Sequence, residues 1–301
     1  MIHLFTSASG NDTEGIGAVV QCQIHTYTLS KLLGINFIGQ EFTNLQHYQE
    51  HSSQEKFCED VTNFFNIPNT KKVTGDVVKF KRIDDSFIKF VRENQSSQDD
   101  IFVEIDKETL MRFADANSQN WKDFISDLSS RVQFDQSKYY FDDDKINISL
   151  HITNFIEGRD NDRSLQREQF VQGNTKEQYY INLIKKLNDV LSKNDNGTLF
   201  IEKEFHIYSR SQTPGDLSQF ESFMNLGLPI KFHIDEHPLV SLYHLIKSDV
   251  KVLSNSSFSY ISALYGEGLS LARDNFQHVI PSNVIFTDYD GNFDETLVGL
   301  G

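Results

Sequence analysis

The chain has 301 residues, 38% of them hydrophobic and 24% charged, with 25 phenylalanines. That length suffices for one large domain, or two of about 150 residues each, around an aromatic-rich core. Acidic residues outnumber basic ones 43 to 28, and the net charge of -15 argues against a nucleic acid duplex or an anionic membrane as the main partner, while leaving room for a small anionic ligand. The two cysteines, Cys22 and Cys58, and the ten histidines follow no metal or redox spacing, and both thiols are expected to be buried. No apolar run reaches the ~18 residues of a bilayer span and the first residues carry no signal-peptide pattern, so the chain is expected to be cytoplasmic.

In chain order, "MIHLFTSAS" reads as a strand and "GNDTEGIG" as a polar turn. Residues 18–33 then place Val20, Ile24, Tyr27, Leu29 and Leu32 at helical spacing, with Gly34 as the stop and "INFIG" as a second strand. This strand-helix-strand unit implies a parallel, Rossmann-like sheet. Helices are expected around 54–65 and 109–131, with "IFVEI" as a strand between them, and a domain boundary at the acidic turn "DDDK". Downstream, strands at "INISLHI", "EFHIYS", "IKFHI" and "VKVLS" alternate with helices at "KEQYYINLIKKLNDVLSK", "DLSQFESFMNLG", "PLVSLYHLIKS" and "SFSYISALYG". The expected fold class is therefore α/β, with one Rossmann-like domain over 1–144 and a second over 145–301.

Parallel α/β sheets gather ligands at the carboxyl ends of their strands, beside helix amino termini. Four stretches fall there. The turn "EGIGA" offers Gly15 and Gly17 for close backbone approach, although a plain strand-helix connection would also account for it. "SLHITNFIEGRDNDR" carries Arg159, whose planar fork suits a diphosphate, but a solvated loop with surface ion pairs reads equally well. "YSRSQTPGD" supplies Ser209 and Arg210, or an ordinary turn. "SNSSFSY", at 254–260, crowds hydroxyls at a helix start; a cap uses one or two, and the surplus with the helix dipole would make an anion pocket. Asp235, at a strand end, could accept ribose hydroxyls or cap the following helix.

In this order the stretches resemble the fucosyltransferase-type glycosyltransferases, the group of bacterial and viral α-1,2-fucosyltransferase relatives. "EGIGAVVQCQIHTYTLSKLLG" is similar to that family's opening G-x-G turn and helix, and in "QEFTNLQH" Phe42 and His47 match a second block. "HITNFIEGRD" resembles the central H-I-R-R-G-D motif at His151 and at Arg159-Asp160, with an insertion between, and "YSRS" resembles its serine turn. "SDVKVLSNSSFSYISALY" matches the last block closely, and "VIPSNVIFTDYDGNFD" resembles the family's end with Val284 in place of tryptophan.

The resemblance implies a GT-B fold, two Rossmann-like domains facing across a cleft, with the acceptor held by the first and the nucleotide-sugar donor by the second. It implies donor contacts from His151, Arg159, Ser256, Ser257 and Phe258, with the loss of the double arginine weakening the transfer to Arg159. The activity implied is transfer of a sugar, fucose first, to a glycan hydroxyl. The co-substrate would be a GDP-sugar, with a UDP-pentose as the alternative, and neither a cofactor nor a metal is required. Candidate bases for the acceptor proton are Asp12, Glu14, His47, Glu157 and Asp160. A non-catalytic carbohydrate-binding protein on the same fold is the competing reading. An oxidoreductase is disfavoured by the incomplete glycine fingerprint.

Overall fold

The computed structural model describes residues 1–6, 15–45, 53–116, 121–153, 176–192, 202–211, 213–274, 276 and 284–298. The chain divides into two α/β units, one built on Met1–Phe134 and the other beginning at Asp135.

The first unit holds β1 (Ile2–Phe5), β2 (Asn36–Phe37), β3 (Val77–Phe80) and β4 (Ile101–Ile105) in one sheet ordered β2-β1-β4-β3, parallel throughout. Helix α1 (Ile16–Leu33), expected from its apolar spacing, is buried on nearly every side from Ile16 to Ser30, polar Gln21, Gln23, Thr26 and Thr28 included, so it is a central helix. Leu32, one of the apolar residues at helical spacing, is 38% exposed. Gly34 closes the helix in the left-handed region at φ 64°, where a side chain would be strained. Helix α2 (Gln54–Phe65) starts on the Ser53 cap and stops at left-handed Asn66. Helix α3 (Asp85–Asn94) is capped by Asp84 and seats Phe87 and Val91 beside Ile2, Leu4, Val103 and Ile105. The single helix expected over 109–131 is two, α4 (Lys107–Ala116) and α5 (Trp121–Ser129). The sequence between them, Asn-Ser-Gln-Asn, holds two asparagines and a serine, whose side chains compete for backbone hydrogen bonds and disfavour helix interiors. Cys22 and Cys58 are buried in this unit and no disulfide joins them.

The second unit carries six parallel strands, β5 (Ile146–His151), β6 (Lys203–Ser209), β7 (Ile230–Ile234), β8 (Val250–Val252), β9 (Leu269–Arg273) and β10 (Val284–Thr287), in the order β10-β9-β8-β5-β6-β7. Its helices are α6 (Lys176–Ser192), the one-turn α7 (Glu221–Met224), α8 (Pro238–Lys247) and α9 (Ser257–Tyr265). The longer helix expected over 216–227 reduces to α7 and a preceding tight turn, Ser218–Phe220. Phe220 and Phe223 drop into the core, and Gly227, at φ 67°, turns the chain into β7. The second unit begins at Asp135, upstream of the expected 145, and there Tyr139 and Tyr140 stack on His244, Tyr140 also stacks on His233, and Phe141 lies tilted against His206. Among the described residues, no helix is long and apolar enough to cross a membrane.

Candidate functional site

From β5 the chain steps outward to β6 and β7, then crosses to β8 and steps outward the other way to β9 and β10. Numbered from β5, the strands lie 3-2-1-4-5-6, the order in which open parallel sheets open a ligand crevice at the carboxyl ends of the two strands that part, here β5 and β8. His151 ends β5, and the hydroxyl-rich stretch that follows β8 leads into α9.

These two ends are laced together. The Nδ1 of His151 lies 2.5 Å from Ser259 Oγ and 3.1 Å from Ser254 Oγ, the two hydroxyls are 3.0 Å apart, and Thr153 Oγ1 is 2.5 Å from Ser254 Oγ. Ser254 and Ser259 are buried. Their hydroxyls therefore fix the ring of His151, whose Nδ1 side is committed to protein. Phe258 lies tilted against that ring, with centroids 5.1 Å apart. Ser256 is the N-cap of α9 and accepts the Phe258 amide at 3.2 Å. Asn255, Ser256, Ser257 and Phe258 are only half-buried, so the part of the stretch that faces outward is Asn255–Phe258, at the positive end of α9.

The neighbouring strand ends are joined in turn. Ser209 Oγ donates to Ile152 O at 2.8 Å, and Asp235, after β7, receives the Ser211 amide at 3.0 Å, the Ser211 hydroxyl, and the Gly215 amide at 3.4 Å. Burial raises the Asp235 pKa, but these donors outweigh it and hold the carboxyl below the usual range. Asp235 is therefore engaged with the turn after β6. The cap of α8 is His237, whose Nδ1 accepts the Leu239 amide. Arg210, half-buried, sits between Ser209 and Ser211 on that turn.

A second polar cluster, which the sequence reading passes over, lies along the same face. Tyr140 stacks on His244 at 3.6 Å and on His233 at 4.5 Å, and its hydroxyl meets Tyr208 and Glu236, each at 3.1 Å. His244 donates Nδ1–H to Val240 O and accepts the Tyr140 amide at Nε2, which fixes a neutral imidazole. Burial pushes its pKa down to about 4 and that of His206 to about 3. Glu236 also feels burial, but contacts with His233, Ser241 and Tyr140 keep its carboxyl below the ordinary range. The sequence carries one histidine in each of β6 and β7, and Tyr140 makes its contacts with Tyr208 and His244 across 68 and 104 residues.

In the first unit, Gly15 is the residue before α1 and Gly17 is buried in its first turn. Gly15 has ordinary angles, φ −73° and ψ 159°, and a side chain there would meet nothing within 4 Å, so neither backbone nor packing demands glycine. The candidates Asp12, Glu14, His47, Glu157, Arg159 and Asp160 lie outside the described residues. Among the described residues, no group of three or more His, Cys, Asp or Glu is placed to hold a metal ion.

No family model matches the chain. No curated protein matches it either. Among solved structures, the fucosyltransferase NodZ from Bradyrhizobium aligns over 97% of both chains at a TM-score of 0.40 and 8% identity, a likeness too distant to bear on fold or chemistry.

Proposed function

We propose that the chain is a glycosyltransferase of GT-B type that moves a sugar from a nucleotide-sugar donor to a hydroxyl of a glycan acceptor. The donor diphosphate would lie at the carboxyl edge of the six-stranded sheet between β5 and β8. The single observation that carries this reading is the coincidence of three features at one point: the parting of β5 and β8, the start of α9, and the half-exposed Asn255–Phe258 stretch. Amides of the first helical turn carry the positive end of the dipole and suit an anion. The similarity of the 248–265 stretch to the last block of the fucosyltransferase-type family supports the same placement.

In this reading the chemistry is displacement at the anomeric carbon by an acceptor oxygen, with the carbon–diphosphate bond breaking as the new glycosidic bond forms. Fixed donors at α9 and Arg210 would stabilise the charge that gathers on the leaving diphosphate. His151, held by Ser254 and Ser259, would line the crevice at the end of β5. A GDP-sugar is the favoured donor and a UDP-pentose the second choice, with no metal required and Asp12, Glu14, His47 and Asp160 as candidate bases.

A thermal-shift screen against GDP, UDP, dTDP and CMP tests it. A nucleotide held at 100 times its Kd stabilises the fold by about 2.7 kcal/mol and raises Tm, and the nucleotide that does so names the donor class. A flat response to all four removes the reading.

A further inference from the structure

Asp235 has a backbone conformation that few residues other than glycine adopt, φ 59°, and every one of its polar groups that the structure pairs points to one stretch of chain. Its amide donates to Ser209 O at 3.1 Å. Its carboxylate takes the amide and hydroxyl of Ser211, and the amide of Gly215, which reaches it because Gly215 itself turns through φ 79°. Ser209 is held a second time by its hydroxyl on Ile152 O, and the carbonyl of Arg210 accepts Gln219 Nε2 at 3.1 Å. The backbone on both sides of Arg210 is thus fastened to the ends of β5 and β7, at the carboxyl edge of the sheet, one strand away from the parting of β5 and β8. With adjacent strands ~4.8 Å apart, the middle of that parting lies roughly 7 Å from β6, a span comparable to the length of an extended arginine side chain.

We infer that Asp235 is a positioning residue: it fastens the turn at Ser209–Ser211 so that Arg210 delivers its guanidinium to the anionic group of a nucleoside diphosphate held at this edge. The inference rests on the proposed nucleotide-sugar reading and adds to it the residue that aims the cation. A carboxylate suits the task because its two oxygens accept three donors at once without offering a hydrogen of their own. An amide of the same shape keeps one acceptor oxygen and turns the other into a donor, facing the Ser211 hydroxyl or the amides. Strained backbone at such a place is characteristic of groups that the surrounding structure holds in a working geometry.

The test is a double-mutant cycle read by calorimetry with GDP and UDP on the full chain. Arg210→Ala is expected to weaken nucleoside diphosphate binding about tenfold, the loss of one charge-assisted contact. Asp235→Asn should weaken it by a similar factor, and Asp235→Asn in the Arg210→Ala background should cost nothing more, since there is no longer a cation to aim. Ser211→Ala, which removes one fastening and leaves the carboxylate, gives the same non-additivity at smaller amplitude and stands in if Asp235→Asn fails to fold. Losses that add independently, or affinities unchanged by Asp235→Asn and Ser211→Ala, overturn the positioning role while leaving the nucleotide site intact. Wild-type protein that binds neither GDP nor UDP removes the nucleotide reading and this role with it.

Discussion

The two faces of the six-stranded sheet are built on opposite plans. One face is carried by Ile146, Ile148 and Leu150 on β5, Phe205 and Ile207 on β6, Val250 and Val252 on β8 and Leu271 on β9, and it packs on Leu183, Ile184, Leu187 and Leu191 of α6 and on Phe220 and Phe223. The other presents Asn147, Ser149 and His151, then Glu204, His206 and Tyr208, then Lys251 and Ser270, all of them buried or nearly so, and pairs them with α8, α9 and the Tyr139–Phe141 segment. Strands buried on both faces of a parallel sheet usually read as unbroken apolar runs. Here the alternation arises because one buried face is a hydrogen-bonded network. The apolar face supplies stability without direction, whereas the polar face fixes ring orientations and strand ends, and its upper end is where the candidate site sits.

The comparison breaks first at the apolar face. Phe205 is fully buried in the large core, and Phe205→Ala should cost about 3–5 kcal/mol in urea unfolding. A loss under about 1 kcal/mol would mean that this face does not hold the unit together.

The polar face should instead reveal itself through pH. His206 and His244 have folded-state pKa values of about 3 and about 4 against an ordinary 6.5. As pH falls below 6.5 the unfolded chain takes up protons that the folded chain refuses, so stability is complete above that value and declines toward pH 4. Each histidine contributes a slope of up to about 1.4 kcal/mol per pH unit. His244→Gln keeps an acceptor for the Tyr140 amide but cannot be protonated. Stability measured at pH 7.5, 6 and 5 should fall less steeply in that variant than in the wild type. Equal slopes would show that His244 is not held neutral.

The two faces also differ in how far the sequence disclosed them. Strands β4 and β7 and helix α2 lie where local pattern puts them, because Ser53 and Asn66 mark the helix ends and the apolar residues mark the strands. Strand β3, α3 and the last two strands went unread. β3 is a half-exposed edge strand of four residues with no buried alternation to betray it, and β9 and β10 are short strands whose partners are set by sheet order. The serines of 254–259 were legible as a helix start, but not the division of labour among them. Which hydroxyl turns inward depends on His151 and Thr153, about a hundred residues upstream. The Tyr140 network is hidden for the same reason.

That division of labour yields the smallest and most discriminating expectation. Ser256 caps α9 through the Phe258 amide, so Ser256→Ala should lower unfolding stability by about 1 kcal/mol. Ser257, at the first position of the helix and half-buried, has no such duty, and Ser257→Ala should leave stability within about 0.5 kcal/mol. If the outer half of the stretch serves a ligand, the nucleotide identified by thermal shift should bind Ser257→Ala more weakly, by about 1 kcal/mol or some fivefold, with the fold unaffected. The opposite assignment, with stability lost at 257 and affinity at 256, would mean that α9 begins one residue later than described and that the dipole it offers is aimed elsewhere.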